Sequence, residues 1–324
     1  MLALNEFELI ERFFRRPARD AVLGIGDDAA LIAPSAGCEL AISVDMLVSG
    51  RHFFADVDPQ ALGHKTLAVN LSDLAAMGAT PRWALLAVAL PDADPIWLAA
   101  FAKGLFALGD EYQVDLVGGD TTQGPLTLCV TIIGEVAAGR ALRRSGARPG
   151  DSIWVSGTLG DAALALAHRQ GRIELDAADF RSCERALLWP QPRVALGRRL
   201  LGIARAAIDI SDGLTGDLGH VLQASGVGAQ VEVAALPCSD VMRRQLQGAA
   251  RETALRCVLA GGDDYELCFT APGRHGPALH AIAAELGVAL ACVGAIHTEV
   301  GLVVRDEAGR PLPSLPSAFD HFAN

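Results

Sequence analysis

Six short acidic motifs are scattered along this chain, and most of them end or interrupt an apolar run that reads as a strand. The motifs are Gly26-Asp27-Asp28, Ser43-Val44-Asp45, Ser72-Asp73, Gly119-Asp120, Asp209-Ile210-Ser211-Asp212-Gly213 and Gly262-Asp263-Asp264-Tyr265-Glu266. A carboxylate delivered at a strand end is expected to face a cleft, because burying an unpaired charge is costly. A hard cation such as Mg²⁺ takes oxygen ligands and commonly joins one or two carboxylates to substrate phosphates. The pattern therefore points to phosphoryl-transfer chemistry, with the motifs gathered around one polyphosphate–metal site.

Helical and strand periodicities alternate in both halves, which predicts two α/β or α+β units. In the first half, helices are expected over residues 6–15, 64–77 and 96–108, and strands over 40–44, 83–90, 114–117 and 126–136. Asn5 and Glu8 have the spacing of a capping box for the first helix. Asn70 and Asp73 share a helix face at i,i+3. The best boundary is Ala138 to Asp151, where glycines, a proline and four arginines replace apolar sequence. It divides the chain into units 1–138 and 139–324. In the second unit, strands are expected over 153–155, 206–210, 229–233 and 289–293, and helices over 194–205, 214–224 and 275–286, while the apolar runs 257–259 and 267–270 lie on either side of Gly261 to Glu266.

The chain's 324 residues and 51% apolar content are enough for two cores. A net charge of −11 argues against a general nucleic-acid binder, which would carry a basic stripe. No apolar stretch runs long enough to span a bilayer. The acidic, amphipathic start lacks the features of a signal peptide, so a cytoplasmic location is expected. The seven cysteines are dispersed, with no C-x-x-C pair, which disfavours a zinc site or a disulfide framework. Cys129 and Cys268, inside apolar runs, read as small core residues.

Each motif has a plainer alternative. Gly24-Ile25-Gly26-Asp27-Asp28 lacks the third glycine, the strand and the helix of a dinucleotide fingerprint; Asp28 either presents an oxygen to a ligand or sits in an ordinary Asp turn. Strand alternation puts Ser43 and Asp45 on one face, where they address one ion or face water. Asp73 is a ligand or part of a solvated helix face. Gly118-Gly119-Asp120 is expected as a turn whose glycines admit phosphate while Asp120 holds the cation. Asp209 and Ser211 share a strand face, and Asp212 falls at a helix start whose amides favour anions. His52 touches substrate phosphate or is satisfied within its loop. Arg143 and Arg144 grip a nucleotide phosphate or are solvated. There is no G-x-x-x-x-G-K-[ST] cradle and no G-x-S-x-G elbow.

Taken together, GIGDDAA from Gly24, LAISVDMLVSGRHF from Leu40, KTLAVNLSDLAAMGA from Lys65, VGGDTTQGPL from Val117, GRALRRSGARPGD from Gly139, AIDISDGLTGDLGH from Ala207, GGDDYELCFT from Gly261 and FDHF from Phe319 resemble the thiamine-monophosphate kinase family. That family lies within the aminoimidazole-ribonucleotide-synthetase-like superfamily. The resemblance implies ATP-dependent phosphorylation of thiamine monophosphate with several Mg²⁺ ions. It also implies a homodimer whose N-terminal sheets complete a β-barrel, and a C-terminal α/β domain. Carried over residue by residue, it makes Asp28, Ser43, Asp45, Asp73, Asp120, Asp209 and Asp212 metal ligands. Tyr112, Gly119, Asp120, Arg144 and Ser211 would touch ATP, and His52, Asp263 and Phe319 the thiamine substrate. Two positions depart from the family pattern. Val44 replaces a hydroxyl residue, which limits any metal contact there to its backbone or a water. Asp263 replaces a Glu and is one methylene shorter. The rivals are another ATP-dependent enzyme of the superfamily and a non-catalytic nucleotide- or metal-binding regulator.

Overall fold

The computed structural model describes residues 5–318. Backbone contacts divide the chain into one unit of Met1–Leu74 with Ala79–Gly139 and a second of Ala75–Gly78 with Arg140–Asn324.

In the first unit, Asn5 caps α1 (Glu6–Leu9) in a full capping box, its Oδ1 accepting the Glu8 amide at 2.9 Å and Glu8 Oε2 accepting the Asn5 amide at 3.0 Å. The expected helix continues only as a π-helical turn, Ile10–Phe14. β1 (Ala21–Leu23) and β2 (Leu31–Ile32) form a small antiparallel pair. β3 (Cys38–Val48), α2 (Pro59–Ala76), β4 (Thr80–Leu90), α3 (Pro95–Glu111), β5 (Asp115–Gln123) and β6 (Thr127–Ala137) follow. The strands make a sheet in the order β3-β6-β4-β5, with β4 and β5 parallel and the other pairs antiparallel.

This sheet does not close. A barrel requires the two edge strands to pair, and among the described residues β3 and β5 lie at opposite edges with no ladder between them. The expected β-barrel is therefore absent. Instead β3 leaves Leu40, Ile42, Val44 and Met46 between 37% and 63% exposed, on the face opposite Ser43 and Asp45.

α2 is buried over most of its length, including His64, Lys65, Thr66, Asn70 and Ser72. It crosses α3 glycine against backbone. A Cβ on Gly63 would lie 2.0 Å from the Phe101 carbonyl oxygen, and one on Gly104 1.9 Å from that of Gln60. No described helix is long and apolar enough to cross a membrane.

The second unit comprises β7 (Asp151–Ser156), α4 (Asp161–Arg169), α5 (Ala177–Leu188), α6 (Val194–Arg199), β8 (Ala206–Asp209), α7 (Leu214–Ser225), β9 (Gly228–Glu232), α8 (Asp240–Gln247), α9 (Arg251–Ala260), β10 (Leu267–Pro272), α10 (Gly276–Leu286), β11 (Leu290–His297) and β12 (Gly301–Arg305). Its sheet has the order β12-β9-β11-β7-β10-β8 and is antiparallel except where β12 joins β9. A core of Ile153, Val155, Leu164, Ile208, Leu218, Val221, Val258 and Cys268 packs helices onto it. The helix expected over 194–205 stops at Arg199. Cys268 is buried as expected, whereas Cys129 is only half-buried.

Candidate active site

In the first unit β3, α2 and β5 carry Ser43, Val44, Asp45, Asp73, Gly119 and Asp120, while Asp28 and His52 lie between elements and Tyr112 at the end of α3. Alternation along β3 turns Ser43 and Asp45 toward α2. The Ser43 hydroxyl donates to Asp73 Oδ2, and the Asp45 amide donates to Asn70 Oδ1 at 3.2 Å. Asn70 is fully buried and is steadied by its own Nδ2 donating to the Thr66 carbonyl at 3.0 Å. Hydroxyl, carboxylate and amide oxygens thus meet along one β3–α2 seam. Val44 points the other way and can offer only backbone. Asp45 sits inside β3 rather than at its end, because Met46–Val48 continue the ladder with β6.

The Gly119 region differs from its expected turn. β5 runs through Gly118, Gly119 and Asp120 to Gln123, pairing with β4 throughout. Gly119 has φ +151°, and a Cβ there would fall 1.8 Å from the Leu86 carbonyl oxygen. The close approach of the neighbouring strand requires glycine here. Asp120 is exposed beside it. Following the ladders from Asp45 through Val130 and Leu86 to Gly119 crosses three strand spacings, about 14 Å. Asp28 is exposed, its amide donating to Asp27 Oδ1 at 2.9 Å. Tyr112 caps the end of α3. His52 Nδ1 accepts the Val48 amide at 2.9 Å, which leaves its proton on Nε2.

In the second unit two motifs are laced together. The Ile210 amide donates to the Glu266 carbonyl (2.8 Å), the Asp263 amide to the Ser211 carbonyl (2.9 Å), and the Tyr265 amide to the Ile210 carbonyl (2.8 Å). A Cβ on Gly262 would lie 2.4 Å from the Ser211 carbonyl oxygen, so this glycine serves the lacing. Asp263 and Tyr265 are held at φ 68° and 50°, sparsely populated for side-chain-bearing residues. The Tyr265 hydroxyl donates to Asp263 Oδ1 at 3.1 Å. Asp209 ends β8, buried and paired with Leu267, while Ser211 and Asp212 are half-buried in the turn that follows. Arg144 is exposed, its carbonyl accepting the Ser225 hydroxyl at 3.3 Å. Phe319 lies outside the described residues.

Among the described residues, no three His, Cys, Asp or Glu side chains gather closely enough to hold an ion by themselves. Hard oxygen donors set out in pairs fit a Mg²⁺ ion that keeps water and takes further ligands from substrate phosphates.

Two profiles cover most of the chain. One described as AIR synthase related protein, N-terminal domain, matches residues 26–136, and its C-terminal counterpart matches residues 148–306. The thiamine-monophosphate kinase of Salmonella typhimurium is 49% identical over 328 residues, covering 99% of both chains. The chain belongs to the thiamine-monophosphate kinase family. A crystal structure of the family member from Stenotrophomonas maltophilia superposes with TM-score 0.85 at 49% identity, over 94% of this chain and 97% of that one. A structure of AaThiL complexed with AMPPCP and TMP superposes with TM-score 0.77 at 29% identity, over 90% and 89%.

Three supports of these kinase-family motifs carried no assignment from sequence. Glu266 is buried, accepts Arg193 Nε and Nη2 at 2.7 and 2.5 Å, and accepts the Ser156 hydroxyl at 2.5 Å. Asp264 accepts the Gly160 amide at 2.8 Å, and burial pushes its carboxyl well above the usual range. Asp217 accepts amides of the Asp212 turn. Burial pushes its carboxyl up to about 7, the three amides pull against that rise, and nearby Asp212 adds to it. Arg193 and Glu266 are 73 positions apart, so no spacing rule connects them. Asp217 was within reach, as an acid in the first turn of an expected helix.

Proposed function

We propose that the chain phosphorylates thiamine monophosphate to thiamine diphosphate at the expense of ATP. The observation that carries this is the 49% identity to a thiamine-monophosphate kinase over 99% of both chains. AMPPCP, an ATP analogue, and TMP together in a related structure match the two substrates.

The transfer we propose is direct and in line. A phosphate oxygen of thiamine monophosphate attacks the γ-phosphorus of ATP, the bond to the β–γ bridging oxygen breaks, and ADP leaves with the electron pair. The acceptor is already ionised, so no strong general base is needed. Catalysis then comes from positioning and charge stabilisation. Asp28, Ser43, the Val44 backbone, Asp45, Asp73, Asp120, Asp209 and Asp212 would hold several Mg²⁺ ions, which would supply charge neutralisation to the phosphate oxygens. Tyr112, Gly119, Asp120, Arg144 and Ser211 are proposed to contact ATP. His52, Asp263 and Phe319 are proposed to contact the thiamine substrate.

Residues 1–138 are proposed as the metal- and ATP-binding and dimerisation domain, with 139–324 as the C-terminal domain. The exposed apolar side chains of edge strand β3 support a homodimer, since a lone sheet edge of this kind invites a partner. A cytoplasmic location is part of the same reading.

Purified protein incubated with Mg²⁺, ATP and thiamine monophosphate should release ADP and thiamine diphosphate in equal amounts, with little ADP when the acceptor is omitted. Binding of both substrates without thiamine diphosphate formation would mark a non-catalytic regulator and overturn the proposal.

A further inference from the structure

A turn that runs into a helix exposes amides that ordinarily attract anions. At the start of α7 these amides are already occupied from within. Asp217, buried in the first turn, directs a single oxygen, Oδ2, at three consecutive backbone N–H groups: Ser211 at 3.0 Å, Asp212 at 3.1 Å and Gly213 at 3.1 Å. Gly213 closes the turn from the other side. It has φ +112°, and a Cβ on it would lie 2.6 Å from Ala260 of α9, so no side chain fits. Between Asp217 and Ala260 the turn has one course open to it. The amides of Ser211, Asp212 and Gly213 point inward at Asp217.

We propose that Asp217 is a positioning residue for the cation site. By filling the amide nest it keeps the Ser211–Gly213 turn from taking phosphate, and it leaves the Asp212 side chain to address a divalent cation. This rests on the assignment of Asp209 and Asp212 to the Mg²⁺ site. The chemistry is direct: an unfilled nest of three amides is an anion site, and without Asp217 the turn that carries Asp212 loses the acceptor that fixes it. Asn at 217 keeps an oxygen to accept the amides, whereas Ala leaves the nest open.

The test uses two probes that need no turnover. Mn²⁺ alone is titrated into wild-type protein, Asp217→Ala, Asp217→Asn and Asp212→Asn, with free metal followed by electron paramagnetic resonance. Inorganic phosphate is added to each protein at millimolar concentration and the shift in Tm is recorded. Asp217→Ala should bind Mn²⁺ at least about tenfold more weakly and should gain a phosphate-dependent rise in Tm that wild type lacks. Asp217→Asn should stay within about threefold of wild type for Mn²⁺ and gain no response to phosphate. Should Asp217→Ala fail to fold, Asp217→Ser is also too short to fill the nest and carries the same expectations. A truncated variant that keeps wild-type Mn²⁺ affinity overturns the proposal, whatever phosphate does. If Asp212→Asn itself leaves Mn²⁺ binding unchanged, the metal-site assignment fails instead.

Discussion

At the scale of single residues, Asp263 separates charge from backbone. Its φ of 68° lies in a region that Asp and Asn tolerate better than other residues with a side chain. Asp263→Asn should therefore keep the loop intact and remove only the carboxylate proposed to meet the cationic thiazolium or the aminopyrimidine. The KM for thiamine monophosphate should rise clearly, while the KM for ATP stays within about threefold, under ~1 kcal/mol. Steady-state kinetics on the purified variant measures both. A fall in ATP affinity alone would move Asp263 to the nucleotide end of the reaction. Some neighbouring residues were legible in the sequence and others were not. Alternation placed Ser43 with Asp45, and i,i+3 spacing placed Asn70 with Asp73, because both rules are local. Gly119 was misread because a glycine pair signals a turn equally well as a strand that must pass close to its neighbour. The direction of the Ser211–Gly213 amides depends on where Asp217 points, which composition does not record.

At the scale of elements, the crossing of α2 and α3 governs how the β3–α2 seam is held. A methyl on Gly104 would overlap the Gln60 carbonyl oxygen at 1.9 Å. Gly104→Ala raises helix propensity by about 1 kcal/mol, but the overlap is with backbone and can be relieved only by moving the helix. Overpacking of side chains alone typically costs 1–3 kcal/mol, roughly. The net effect should be a loss of at least about 1 kcal/mol in urea unfolding, together with a lowered kcat, because α2 carries Asn70 and Asp73. Unchanged stability would show that the helices part freely. The long apolar elements were legible from their patterns. α5 and α8 were not, because their polar sequences left only a thin apolar face. The strand ends were misjudged at β3, where three apolar residues beyond Asp45 extend the ladder.

At the scale of the whole molecule, family membership was legible nearly end to end, but closure of the sheet was not. Whether edge strands pair is a property of the assembled chain, and among the described residues β3 keeps a free outer edge. If that edge and its exposed Ile42 join two copies, Ile42→Glu should shift the protein toward monomer in sedimentation velocity while leaving the monomer folded. A monomeric wild-type protein would remove the basis for the dimer. The lacing of residues 210–211 to 263–266 has a further consequence, for the timing of local motion. Three backbone bonds bind these loops to each other, so neither can open while the other stays closed. In native-state amide exchange their hydrogens would be released together, as one cooperative segment. A fluctuation that loosens the loop proposed to hold thiamine would loosen the loop proposed to hold metal in the same event.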